Sequence, residues 1–406
     1  MTAQPVGRRR IVAGTGLAGA ALFAALAPKA QALPASTTRV GLPYTVISVP
    51  TDSAVQAGLK AWRTNFNGSF PLTKLLFGFS GTADLKTPLE AALGTGQIQA
   101  LRWEGLGKRS TVLRWSSATK PLLSAYGLLR NFDISDLTLQ SGVSGAKGLY
   151  LRADTQKTNQ DGALRRVEWM GSWDYGIGLD GQVSSANLNS EMVFDQPALS
   201  NDASFTRGWL VSGLTRGISQ QNQFLNYVIR DSKLEGSHGD YVVLNYGGSL
   251  NVEGYASWIH TGQANGGAPA GRMLYLPKGS NGDSVMFLRL AGMRPELRGP
   301  KSVFIDSAWS GASCITIDNL RSAANAFKFP TATEQYTFRG DARVSFRDSH
   351  LQGFVGLHGS AKPRMILDNT QCASSQGVDW TRATPSAGKG IVRTFASASA
   401  ANVRIR

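Results

Sequence analysis

Short runs rich in Val, Ile, Leu, Phe and Tyr recur along the chain, among them YGIGL, YVVLNY, SVMFLRL, SCITI and ARVSF, with Gly, Asn, Asp or Ser between them. Their apolar and polar positions alternate imperfectly, as expected of short strands with one buried face. No long amphipathic helical pattern interrupts the series, which disfavours the βαβ architectures. One helix is predicted near the start. In TDSAVQAGLKAW, Asp52 or Ser53 serves as N-cap, and Val55, Leu59 and Trp62 follow at i, i+4 and i+7.

The chain also repeats itself. VIRDSKLEG at 228–236, VFIDSAWSG at 303–311 and FRDSHLQG at 346–353 share a strand, an Asp-Ser step, a short strand and a glycine, with fainter copies at 133–142 and 365–377. The intervals between the aligned aspartates Asp231, Asp306, Asp348 and Asp368 fit multiples of a unit of roughly 20–25 residues with loop insertions, which predicts a solenoid. Short strands turning on small polar residues predict an all-β, right-handed parallel β-helix of roughly ten coils, each burying its apolar face only against its neighbours. An open coil end would leave backbone groups unpaired, so the helix at 52–63 is expected to cap the first coil.

The expected organisation is an export signal at 1–32, the cap and first coils at 33–125, the β-helix at 126–390 and a C-terminal tail at 391–406. Arg8, Arg9 and Arg10 precede a Gly- and Ala-rich apolar stretch that ends in Ala30-Gln31-Ala32. This reads as a cleavable signal of twin-arginine type, with a periplasmic or extracellular destination and no stable membrane anchor after cleavage. Removing 1–32 takes away four basic residues and no acid, so the formal charge falls from +15 to +11. That balance suits anionic polysaccharide or cell envelope as well as a generally basic proteome. Cys314 and Cys372 are too few for a disulfide scaffold and, at about two coils apart, are expected to be free, mostly buried thiols.

After the helix, Gly105-Leu106-Gly107 followed by Thr111-Val112-Leu113 resembles the G-x-G…T-x-L turn that opens the coils of the pectate-lyase-like superfamily of right-handed β-helices. The resemblance covers most of 40–390 and implies the fold and, by analogy, a polysaccharide partner. GLGKRS lacks the Walker-loop spacing, and nothing points to a nucleotide or nucleic-acid partner.

Three segments carry an aspartate just ahead of a strand: Asp174 in WDYGIGL, Asp240 in HGDYVVL and Asp283 in GDSVMFL. Asp240 and Asp283 are near two coils apart, hence about 9.6 Å between backbones. That separation approaches the ~6.5–9.5 Å of inverting glycosidases. Asp174 lies two to three such coils before Asp240 and joins only if its coil is loop-extended. His238, two positions before Asp240, would have its tautomer held by that carboxylate, a general acid/base pairing. The His-x-Asp with Gly247-Gly248 also resembles a feature of some bacterial β-helix proteins, which marks a coil without naming a reaction. Asp and Asn equally serve such turns as backbone caps, the reading preferred for Asp231, Asp306, Asp348 and Asp368.

Trp173, Tyr175, Tyr241, Tyr246 and Trp258 are candidate sugar-stacking residues, or else core. Arg230 and Lys233 are candidates for orienting an acidic or hydroxyl-rich substrate. The leading function is an exported polysaccharide-active enzyme that cleaves glycosidic bonds with paired aspartates. The alternatives are a lyase or epimerase acting on uronate polymers, which would enlist Arg or Ca²⁺ against the uronate carboxylate, and a non-catalytic glycan-binding scaffold. No cofactor is predicted, no resident metal is assigned, and a homotrimer is compatible with such a fold.

Overall fold

The computed structural model describes residues 43–90, 98–127, 129–153, 159–181, 189–215, 224–245, 247–260, 271–277, 286–298, 302–321, 335–351, 355–357, 364–372 and 391–394. Residues 1–32, read above as an export signal, Tyr246 and Asp283 lie outside these residues, as does the rest of the C-terminal tail. Among the described residues, no helix is long and apolar enough to cross a membrane.

The chain winds as a right-handed parallel β-helix, as expected. One wall is a sheet of 21 strands and the other a sheet of nine, and in the nine-stranded sheet each strand pairs in parallel with the strand of the next coil. Leu149 pairs with Ile177, Ile177 with Leu210, Leu210 with Val242 and Val242 with Leu274, so a coil takes roughly 30 residues here. The shorter unit and the ten coils expected from the sequence are corrected accordingly, to about eight turns. The repeat misled because two of its four aligned aspartates do not mark the same corner.

Asp136, Arg166, Gln196, Asp231, Asn319 and Asp348 sit at a corner with φ between 48° and 59°, and Gly254 and Gly292 take the same corner in their coils. In this left-handed conformation a short polar side chain can bond locally. Asp231 Oδ1 accepts from the backbone N–H of Tyr255 at 2.9 Å, and Asp348 Oδ1 accepts from Asn369 Nδ2 at 2.6 Å. The structural reading of these two therefore holds. Asp368 precedes the corner, which Asn369 occupies. Asp306 lies in the strand Ser302–Ser307 of the other sheet, so its equivalence to Asp231 was wrong.

The helix Asp52–Arg63 packs on the first strands with Val55, Leu59 and Trp62 fully buried. Its N-cap is Thr51, whose Oγ1 accepts from the Ala54 N–H at 3.3 Å, and not Asp52 or Ser53. Asp52 instead accepts from the backbone of Lys86 and Thr87 and ties the helix to the strand Gly81–Leu85. Trp62 Nε1 donates to the Thr73 carbonyl at 3.0 Å, and its ring meets Trp103 edge-on at 5.7 Å. At the Gly105–Thr111 turn, the Thr111 hydroxyl accepts from the Leu106 N–H and lies within hydrogen-bond reach of the carbonyls of Phe77 and Phe79.

Cys314 is a free thiol, as expected, but it is half-buried on the outward row of the strand Cys314–Asp318. Cys372 belongs to a coil two turns further on, and its side chain lies outside the described residues.

Trp62→Ala removes the largest side chain of the cap together with its hydrogen bond. It is expected to lower stability by about 3–5 kcal/mol, measured as a shift of the chemical-denaturation midpoint.

Candidate functional site on the outer face of the nine-stranded sheet

Asp174, Arg207, Asp240, Arg272, Asp306 and Arg339 come up one per coil on the outer side of this sheet. They form ion pairs across coils. Arg207 Nε donates to Asp174 Oδ1 at 2.8 Å, while Nη2 bonds the second oxygen. Arg272 donates to Asp240 through Nε at 3.0 Å, Nη2 at 2.6 Å and its backbone N–H at 2.8 Å. Arg272 Nη1 also reaches Asp306 at 3.5 Å, and Arg339 Nε donates to Asp306 at 3.1 Å. Burial alone would lower the basicity of Arg272, but the hydrogen bonds and charge of Asp240 outweigh it and raise it.

A bulge explains the first pair. Trp173 pairs with Phe205 but Tyr175 with Gly208, so the lone Asp174 faces two residues, Thr206 and Arg207. The extra residue re-aims Arg207 onto Asp174. Gly208 has φ +150, and a Cβ there would lie 2.7 Å from Val211 Cγ2 and 3.0 Å from Val243 Cγ2. Those two valines and Tyr175 form a small apolar cluster outside the main core, flanked by Tyr150, Leu214 and Tyr275. Arg207 stacks over Tyr175 at 5.0 Å and Arg272 over Tyr275 at 3.2 Å, both as cation–π contacts.

Gly239, between His238 and Asp240, has φ +86, and a side chain there would collide with the Phe205 carbonyl. Its own carbonyl accepts from His260 Nε2 at 3.0 Å. A carbonyl can only accept, so Nε2 carries the proton and Nδ1 accepts from the Ser302 hydroxyl at 2.9 Å. His260 is fully buried against Tyr241, and burial pushes its pKa down to about 4. His238 is half-buried and paired through its backbone with Ser204 and Phe205. The hydrogen bonds and ion pair described for the Asp240 carboxylate come from Arg272.

The structure therefore brings Asp174, Asp240 and Tyr175 to one face and sends other candidates elsewhere. Trp173, Tyr241 and Trp258 are fully buried, with polar atoms bonded to Met170, Gly236 and Ser232 respectively, so none offers a ring to a sugar. All three belong to the main core between the sheets. Tyr175 lies on the outer side but is covered by Arg207. Arg230 and Lys233 belong to the 21-stranded sheet, where they pair with Glu253 and Glu235, so they do not orient anything at Asp240.

Sequence reading missed Arg207, Arg272 and Arg339, although each lies one coil after an aspartate already in view. It also missed Asp180, a buried carboxylate that accepts from the Tyr150 hydroxyl at 2.7 Å and the Thr215 N–H at 2.9 Å. Burial, with the Asp180 contact, pushes the Tyr150 pKa up to about 12. A second polar cluster lies on the other sheet. There Arg109 grips the buried Glu168 with Nε and Nη2, and Lys108, its basicity lowered by burial, donates to the Gln196 carbonyl at 2.8 Å. Among the described residues, no group of three His, Cys, Asp or Glu could hold a metal ion.

The buried His260 sets an acid limit. Its pKa is lower in the folded chain than in the unfolded one, so the unfolded state binds more protons between about pH 6.5 and 4, and stability falls as pH drops through that window. The loss is expected to reach the order of 3 kcal/mol. Denaturation of the protein and of His260→Gln at several pH values checks it, because the variant lacks this part of the slope.

No protein-family model matches the chain. No curated protein matches it either. Two solved structures are similar to it. One is the catalytic domain of a GH87 alpha-1,3-glucanase in complex with nigerose, at 11% identity and TM-score 0.46, covering 90% of this chain and 70% of that one. The other is a variant of such a domain in complex with tetrasaccharides, at 10% identity and TM-score 0.39 with the same coverage.

Proposed function

We propose that the protein binds a polysaccharide lengthwise along the outer face of the nine-stranded sheet and cleaves glycosidic bonds there. The ladder of charged side chains, one per coil from Asp174 to Arg339, is the observation that carries this reading. It runs across the strands, along the solenoid axis, and at ~4.8 Å per coil it extends about 24 Å. A polar row of that length suits a polymer. Two apolar gaps inside the core, lined by residues such as Leu123, Phe132 and Leu149, offer no polar group to orient a substrate.

Within the ladder, Asp174 and Asp240 are the carboxylates for acid/base work. Arg207 occupies the coil between them, so their backbones are about 9.6 Å apart, and side chains leaning together would leave room for the water of an inverting hydrolysis. His238 assists beside Asp240, and Asp283 and Tyr246 keep their proposed roles on sequence alone. Arg207 and Arg272 now engage the carboxylate oxygens, so a reacting sugar must displace or share these bonds. This same observation favours the second reading, a glycan-holding surface without turnover. With the N-terminal signal as read, either activity is placed outside the cytoplasm.

Incubating the protein with a panel of polysaccharides, while following reducing ends and ultraviolet absorbance together, tests the reading. Reducing ends are expected without a new C=C absorbance. Asp174→Asn and Asp240→Asn are each expected to slow their release by at least about 100-fold, and Arg230→Gln to change it by less than about twofold. Retention of glycan without products would leave only the holding surface.

A further inference from the structure

We infer that the ladder takes an uncharged, hydroxyl-rich glycan and not a uronate polymer; this rests on the proposed glycan-binding reading of the same face. The chain as a whole carries a formal charge of +15, which by itself would favour an anionic polymer. That excess is not on this face. Arg207 is matched by Asp174, and Arg272 and Arg339 by Asp240 and Asp306. The other charged side chains on the strands of this sheet, among the described residues, are Lys147, Arg152 and Asp180. Five cations therefore stand with four anions, close to balance.

Distribution matters as much as the sum. A uronate carboxylate binds where a cation is free to face it, and each arginine of the ladder is already bonded to a fixed aspartate, Arg207 and Arg272 through two guanidinium nitrogens and Arg339 through Nε. Two of them also lie on tyrosine rings, which fixes their planes. A carboxylate entering beside Arg272 would meet Asp240 and Asp306 at once, and like charge repels it. A sugar hydroxyl meets the opposite situation, because it can accept from a guanidinium N–H and donate to the neighbouring carboxylate oxygen in the same pose. Donor and acceptor alternate along the ladder at the coil spacing, above the buried apolar cluster of Tyr175, Val211 and Val243.

The test is retention of the purified full-length protein on insoluble neutral glucans, and its migration through gels containing either soluble neutral glucans or polygalacturonate and alginate, at low and high ionic strength. Retention by a neutral glycan that salt leaves unchanged, with anionic polymers bound only at low salt, is the expected result. Salt-resistant preference for the uronate polymers would overturn the inference while leaving the glycan reading standing, whereas no retention by either class would overturn both. Asp240→Asn then places the choice on the ladder. Leaving Arg272 with less opposing charge is expected to raise affinity for the uronate polymers by about two- to fivefold and to lower it for the neutral glycan. An unchanged preference in this variant, with its unfolding midpoint and circular dichroism intact, would remove the ladder from recognition. If the variant does not fold, the charge-exchanged pair Asp240→Arg with Arg272→Asp is measured in its place, and the preference for neutral glycan is expected to survive the exchange.

Discussion

Parallel pairing of each coil with the next, at ~4.8 Å per step, is the constraint on which everything else depends. A coil has no core of its own, so its apolar residues are buried only when its neighbours are in register. Register also decides which side chains reach the outside, because a slip of one residue sends every side chain to the opposite face. The rows from Ile177 through Leu210 and Val242 to Leu274 hold the inside of the nine-stranded wall, and the residues between them have to face outward. Alternation alone does not produce the Asp–Arg ladder: Asp240 and Arg272 stand two residues ahead of the inward Val242 and Leu274, and each is preceded by a left-handed glycine, Gly239 or Gly271, that breaks the alternation.

Two local departures from regular pairing shape the ladder. The bulge opposite Asp174 adds a residue to the partner strand and carries Arg207 onto the aspartate. At the next coil, Gly239 turns through a left-handed conformation against the Phe205 backbone, and its carbonyl is fastened from below by the protonated nitrogen of His260. Asp240 is thus presented from a corner whose underside is packed and hydrogen-bonded, and Arg272 grips it from the following coil. Such backing keeps a polar group in place while it faces solvent or substrate.

Electrostatics along this face differs from the charge of the whole chain. Pairing across coils converts isolated charges into local dipoles, so a strongly basic protein carries a nearly neutral strip. Partly buried pairs of this kind also hold neighbouring coils in one alignment, because sliding a coil would strand a charge at low exposure. The same arrangement appears on the other wall, where Arg165 bridges Asp133 and Asp195.

The sequence by itself determined the kind of fold and its cap. Short apolar runs between small polar residues can bury their faces only as stacked strands, and the stripe of Val55, Leu59 and Trp62 requires a helix laid on a core. Asp231 and Asp348 were legible as corner residues because the left-handed turn suits their short side chains. Asp174 and Asp240 were legible as candidate acids because each stands just ahead of an apolar run, but the parity of the two runs differs by one, so their facing was not. Tertiary structure alone decided the coil length, since loops of unequal size hide the period and Asp306 and Asp348 look alike although one lies within a strand of the nine-stranded sheet and the other at a corner. It also decided the partners. Arg207, Arg272 and Arg339 each stand a whole coil along the chain from the acids they hold, and only stacking converts that separation into a hydrogen bond. For the same reason Trp173, Tyr241 and Trp258 read equally well as core or surface until register turned them inward, and Arg230 looked close to Asp240 along the chain although a corner places the two on different sheets.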